Sequence, residues 1–175
     1  MMRKILFLVL LPLILSSCAG YSTFQAYQGD TRSDMQVATL SGAQYLRQDW
    51  INRYIDSVRF TSVDEIQVDN SREYNTVAIA PGFHDITVYF YWDLGSTRGL
   101  APALVSYAAS RETLSRTLRF NARAGETYTV HAQRVFDEAE EQRDITTIDH
   151  VDFWVEDESG YEIVSREDGR YIATQ

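Results

Sequence analysis

Cysteine and lysine are almost absent from this chain. Cys18 is the only thiol in 175 residues, which excludes an intrachain disulfide framework and a thiolate metal cluster. Lys4 is the only lysine, so the chain beyond it has no amine for a Schiff base or a catalytic lysine. Three Pro and nine Gly are too few for a collagen-like or low-complexity chain. Motifs for chemistry are missing too. There is no Gly-x-Ser-x-Gly elbow, Walker loop, dinucleotide fingerprint or His-Glu-x-x-His pair. The expectation is a protein that is not an enzyme and holds no cofactor.

Apolar material is plentiful. At 45% hydrophobic and 13% aromatic, the chain can build a real core, and its length suits one domain. Acidic residues outnumber basic ones 25 to 16, a net charge of −9. Nucleic acid is therefore not an expected partner, because phosphate binding needs a basic surface.

The N-terminus reads as an address. Arg3-Lys4 precedes an apolar run from Ile5 to Leu15, the order of a secretory signal peptide. As a helix that run would rise about 16 Å, too short for a bilayer core of about 30 Å. It ends Leu15-Ser16-Ser17-Cys18, which resembles the bacterial lipobox. The resemblance implies removal of residues 1–17, a diacylglyceryl thioether on Cys18 and acylation of the new terminus. Ala19, where Asp would mark inner-membrane retention, implies the periplasmic face of the outer membrane in a Gram-negative bacterium. The lipid on Cys18 would do the membrane binding, with an envelope protein as a further partner.

Without residues 1–17 the chain keeps 14 Arg against 25 acids, net −11. Asp137 to Asp168 holds thirteen of those acids and two Arg, so the whole excess lies there. The run Asp137–Asp144 lacks the alternating ligands and central Gly of an EF-hand. It reads as a solvated stretch, and no metal site is assigned. His150 and Asp152 at i, i+2 are half a zinc site without its other ligands. His84 reads as a turn residue held by a structural hydrogen bond, and His131 as exposed. Tyr89, Tyr91, Trp92 and Tyr107 are candidates for an aromatic contact patch.

Residues 18–34 read as a lipidated tether, polar and aperiodic. Extended, residues 19–34 would reach about 50–55 Å. Residues 35–175 read as one domain. Period-two alternation marks strands at 35–40, 58–63, 75–80, 84–92, 113–122, 127–136, 151–155 and 161–165. Pro81, Gly82, Gly125 and Gly160 are the structural turn residues, with Ala124-Gly125-Glu126 closing a hairpin. Between Gly42 and Ser57, the spacing of Leu46, Trp50, Tyr54, Ile55 and Val58 predicts a short helix, with Ser41 and Gln44 as a capping box. A second short helix or a loop is open at Gly99–Ser110. The expected class is all-β: a β-sandwich of seven to eight strands with one or two short helices in connections.

Several stretches are similar to those of uncharacterised proteobacterial outer-membrane lipoproteins with PEGA-like domains. They are Ala80-Pro81-Gly82-Phe83-His84-Asp85-Ile86-Thr87-Val88, Ala122-Arg123-Ala124-Gly125-Glu126-Thr127-Tyr128-Thr129-Val130 and Trp154-Val155-Glu156-Asp157-Glu158-Ser159-Gly160. Tyr27-Gln28-Gly29 and Val37-Ala38-Thr39-Leu40 match their opening. Where those relatives place an Asp-Gly turn, this chain has Val63-Asp64-Glu65. The resemblance implies an immunoglobulin-like or transthyretin-like build and no catalytic residues. The resulting expectation is a non-enzymatic structural or interaction module of the cell envelope. The alternative is a carbohydrate- or metal-ion-binding envelope module.

Overall fold

Alternation of apolar and polar side chains organises the chain into two sheets. In β7 (Gly82–Tyr91), Ile86, Val88 and Phe90 are buried, with Trp92 just beyond. Strands β8 (Ser115–Ala122) and β9 (Thr127–Phe136) bury Leu118, Phe120, Tyr128 and Val130 in the same way. In β10 (Ile148–Asp157), Val151, Phe153 and Val155 enter the core. The computed structural model describes residues 23–48, 50, 53–68, 76–93, 115–136 and 148–170. Strands account for 68% of these, and no α-helix occurs among them.

The remaining strands are β1 (Thr23–Gln25), β2 (Ala38–Gly42), β3 (Gln44–Gln48), β4 (Arg53–Val63), β5 (Ile66–Gln67), β6 (Thr76–Ile79) and β11 (Glu162–Val164). One sheet has the order β1-β6-β2-β9-β10-β11. The other has β3-β4-β7-β8, with β5 on β4. The β1–β6 and β2–β9 pairs are parallel; every other pairing is antiparallel. Buried side chains from both sheets form one cluster, which gives an all-β, sandwich-like fold.

The helix expected between Gly42 and Ser57 is not there. Residues 44–48 and 53–57 pair as antiparallel strands, Leu46 opposite Ile55. Leu46, Trp50 and Ile55 are exposed, so their helical spacing marks no buried stripe. The Ser41–Gln44 box dissolves with it. The one short helical turn described is 3-10, at Asp34–Gln36, where the Ser33 N–H and hydroxyl both donate to Gln36 Oε1. The expected helix or loop at Gly99–Ser110 lies outside the described residues.

Three further expectations shift. The tether is shorter: β1 lies inside it, paired to β6, and Ala26 is buried. Folded structure therefore begins by Thr23, not Met35. The turn at Gly125 (φ 79°) joins no hairpin, because β8 and β9 belong to different sheets. Turn chemistry fixes a reversal but not the sheet in which the returning strand pairs. Eleven strands are described rather than seven or eight, the additions being β1, β3 and β5. Gly82 (φ 130°) and Gly160 (φ 80°) occupy the left-handed side of backbone space expected of turn glycines. Pro81-Gly82 carries the chain from β6 in one sheet to β7 in the other, and Gly160 closes the β10–β11 hairpin.

Gly42 is a position where only glycine fits. Here β2 passes into β3 through Ala43 alone, and the chain crosses from one sheet to the other. The Ala43 N–H donates to Val130 O at 2.9 Å in the first sheet, and Ala43 O accepts from Val58 N at 2.9 Å in the second. A Cβ on Gly42 would collide with the Val58 carbonyl.

Candidate functional site

The strand directions bring the ends of β3, β7 and β9 and the starts of β4 and β10 to one end of the sandwich, called here the hairpin end. Asp56 is buried there. It shares the inward face of β4 with Tyr54, Val58 and Phe60, a lone acid in an otherwise apolar row.

Its carboxylate is fully engaged. Arg47 donates from Nε to Oδ2 at 3.1 Å and from Nη2 to Oδ1 at 3.3 Å. Arg134, from the opposite sheet, donates to Oδ2 at 3.2 Å, and the Asp93 N–H donates to Oδ1 at 2.9 Å. Arg47 also donates to the Asp93 carbonyl at 2.6 Å, and Asp93 Oδ2 accepts from Ile55 N at 2.9 Å. The two guanidiniums lie over aromatic rings: Arg47 is 4.4 Å from the Tyr54 and Trp92 centroids, and Arg134 is 4.8 Å from that of Trp92. Burial draws the Arg134 guanidinium below its ordinary value; Asp56 opposes the shift and Arg47 adds to it. Arginine nonetheless stays charged at neutral pH. The cluster is a bolt between the sheets, with the Asp56 carboxylate accepting from an arginine of each.

A second cluster covers the outer face of β9 and β10. Trp154 is only 7% exposed although it points away from the core. His131 stacks on one side of it, centroids 5.1 Å apart and rings 13° from parallel, and Arg166 lies over its ring at 3.9 Å. Trp154 Nε1 donates to Glu156 Oε1 at 2.7 Å, and His131 Nε2 lies 3.3 Å from Glu156 Oε2. His131 is thus half-buried in a stack, not exposed as the alternation suggested. His150 Nε2 is 3.5 Å from Asp152 Oδ1, but both Asp152 oxygens already accept from Arg170, at 3.0 and 3.3 Å. Among the described residues no three His, Cys, Asp or Glu side chains converge as a metal-ligand set.

His84 has the turn role expected of it. Nε2 donates to Ala80 O at 2.7 Å, and Nδ1 is 2.8 Å from Asp64 Oδ2. Asp64 replaces the expected glycine turn by taking φ 51° itself, a conformation that Asp tolerates better than most residues. Burial raises the Asp64 pKa, but the Asp85 N–H and His84 outweigh it, and the net shift is down.

Trp92 does not join the aromatic patch: it is buried, whereas Tyr89 and Tyr91 share the opposite, half-buried face of β7, Tyr91 under Arg59 at 3.8 Å; Tyr107 lies outside the described residues. At the far end, Gly125, Glu126, Thr127, Asp157, Glu158 and Ser159 line an open cleft of about 230 Å³. Asp157 is committed to its own turn: Oδ1 accepts from the Ser159 hydroxyl and from the Ser159 and Tyr161 N–H groups. The Ser159 hydroxyl bond, followed by that from Tyr161, holds its pKa down. Leu15, Ser16, Ser17 and Cys18, and the acidic run Asp137–Asp144, lie outside the described residues.

Arg47, Asp56 and Arg134 were not singled out by sequence reasoning. The available signal was Asp56 itself, in phase with Tyr54, Val58 and Phe60, but the helical reading of Gly42–Ser57 hid that phase. Comparisons of the chain with protein-family models, with curated proteins and with solved structures gave no match.

Proposed function

We propose that this protein is a lipid-anchored, non-enzymatic module of the bacterial cell envelope, held on the periplasmic face of the outer membrane through Cys18. The observation that carries the reading is the coincidence of Arg3-Lys4, the apolar run Ile5–Leu15 and Leu15-Ser16-Ser17-Cys18, with Cys18 the sole thiol. The start of β1 at Thr23 supports it, since a mature terminus at Cys18 leaves the folded core intact.

The fold bears on the role. Asp56, Asp152 and Asp157 have carboxylate oxygens taken by protein donors, which supports a structural or interaction role over a catalytic one. Tyr128 supports an immunoglobulin-like build over a transthyretin-like one. It is buried near the start of β9 where the chain changes sheets, and its hydroxyl accepts from Arg123 N at 3.1 Å while donating to Glu126 at 2.6 Å. That is the arrangement of a tyrosine corner. It fits the resemblance to PEGA-like lipoproteins.

Metabolic labelling with a radioactive fatty acid tests the anchor. Label should enter the wild-type chain and be absent from Cys18→Ala; equal labelling of the two would overturn the reading.

A further inference from the structure

The hairpin end carries apolar side chains that the fold does not bury. Leu46 and Ile55 are cross-strand partners on the outer face of β3–β4, 59% and 51% exposed, and Trp50 in the connection is fully exposed. Among the described residues, the other exposed large apolar ones, Met35, Phe83, Tyr161 and Ile163, lie toward the far end, away from this group.

The N-terminal end of β1 points the same way. Thr23 and Gln25 pair with Thr76 and Ala78, and these pair in turn with Ser41 and Thr39. Going from Gln25 back to Thr23 therefore parallels going from Thr39 forward to Ser41, toward Gly42 and the hairpin. From Thr23 to Cys18 the chain spans at most about 18 Å. From Ser41 to Gln48 it advances about 23 Å at strand rise. The hairpin tip projects about as far as the anchor can reach, so a lipid on Cys18 brings this end of the sandwich within reach of the bilayer.

We propose that the β3–β4 hairpin is a lipid-facing surface, with Trp50, Leu46 and Ile55 seated in the interface of the membrane that holds Cys18. The inference rests on the lipoprotein reading above. Trp belongs at such an interface, and Arg53, exposed beside the tip, suits a headgroup phosphate. Leu46, Trp50 and Ile55 are apolar, so the contact expected is with zwitterionic lipid and not an attraction to an anionic surface.

The test uses the full lipidated chain in phosphatidylcholine vesicles, with and without lipid brominated on its acyl chains, which quenches tryptophan on contact. Trp50 is one of three tryptophans, and Trp92 and Trp154 are buried. Bromolipid should remove the emission of one tryptophan in the wild type and leave Trp50→Phe unchanged; aqueous iodide should quench neither. Protein that floats with the vesicles but shows iodide quenching at Trp50 and none by bromolipid would overturn the hairpin proposal alone. It would leave that surface facing water and open to a protein partner. Protein without the lipid mass on Cys18 that fails to float would overturn the anchor reading, and the proposal with it.

Discussion

Replacing Asp56 with Ala is expected to cost the fold about 3–4 kcal/mol, the usual range for breaking a buried ion pair from one side. Asp56 is fully buried and receives four hydrogen bonds: two from Arg47, one from Arg134 and one from the Asp93 N–H. Truncation leaves two guanidiniums facing each other without their shared counter-charge. It also strips the Asp93 N–H of its acceptor, by itself a loss of about 1–3 kcal/mol. The cost stays at the lower end because the Arg47 and Arg134 side chains are 28% and 26% exposed, so water recovers part of their solvation. Asp56→Asn keeps an acceptor for Asp93 but not the charge, and should lose about half as much. Urea unfolding followed by tryptophan emission reads the difference directly, since Trp92 lies under both guanidiniums. At an m-value of about 2 kcal/mol/M, the Ala variant's midpoint should fall by about 1.5–2 M. A loss below about 1 kcal/mol, the range of exposed pairs, would refute the claim that this cluster bolts the sheets together.

Two further perturbations address other parts of the fold. Gly42→Ala places a methyl against the Val58 carbonyl and should destabilise by about 2–3 kcal/mol, measured by the same urea titration; a neutral result would mean that the crossing strand can shift freely. Asp64 tests a pH dependence. Its folded pKa lies below the ordinary 3.8, so its contribution is complete above that value and fades as pH falls through the folded one. The stability gap between wild type and Asp64→Asn should therefore narrow as the pH falls below about 5; a gap that holds constant would assign the effect to turn geometry instead of charge.

Much of the fold was legible in the sequence because most strands have one buried face. Strand β7 alternates without interruption, and β9 and β10 bury Tyr128, Val130, Val151, Phe153 and Val155 in strict phase. The β4 strand was harder. A bulge between Phe60 and Ser62 breaks the period and brings Val63 inward. The helical misreading of Gly42–Ser57 arose because Leu46, Trp50 and Ile55 are apolar without being buried, and hydrophobic periodicity presumes burial. Sheet assignment was not legible. The Gly125 turn looks locally like a hairpin turn, but the partners of β9 are β10 and β2, the latter far away in the chain, and not β8. The Asp56 cluster was half legible, since an acid in a buried phase is visible, whereas Arg134 reaches it only through tertiary structure.

The pairing of β2 with β9 also bears on how the chain reaches its folded state. Ser41 and Thr129 are 88 residues apart, and β1 meets β6 across 53. Sheet closure therefore waits on loops of low probability, and non-local pairings of this kind make folding slow. The β3-β4 hairpin needs only neighbouring sequence and can form early. The β1-β6-β2-β9 sheet can assemble only once residues near 130 are available. A chain delivered across a membrane N-terminus first would thus leave the β9-facing edge of β2 unpaired until nearly three quarters of it had emerged, and it is during that interval that this edge is most open to mispairing.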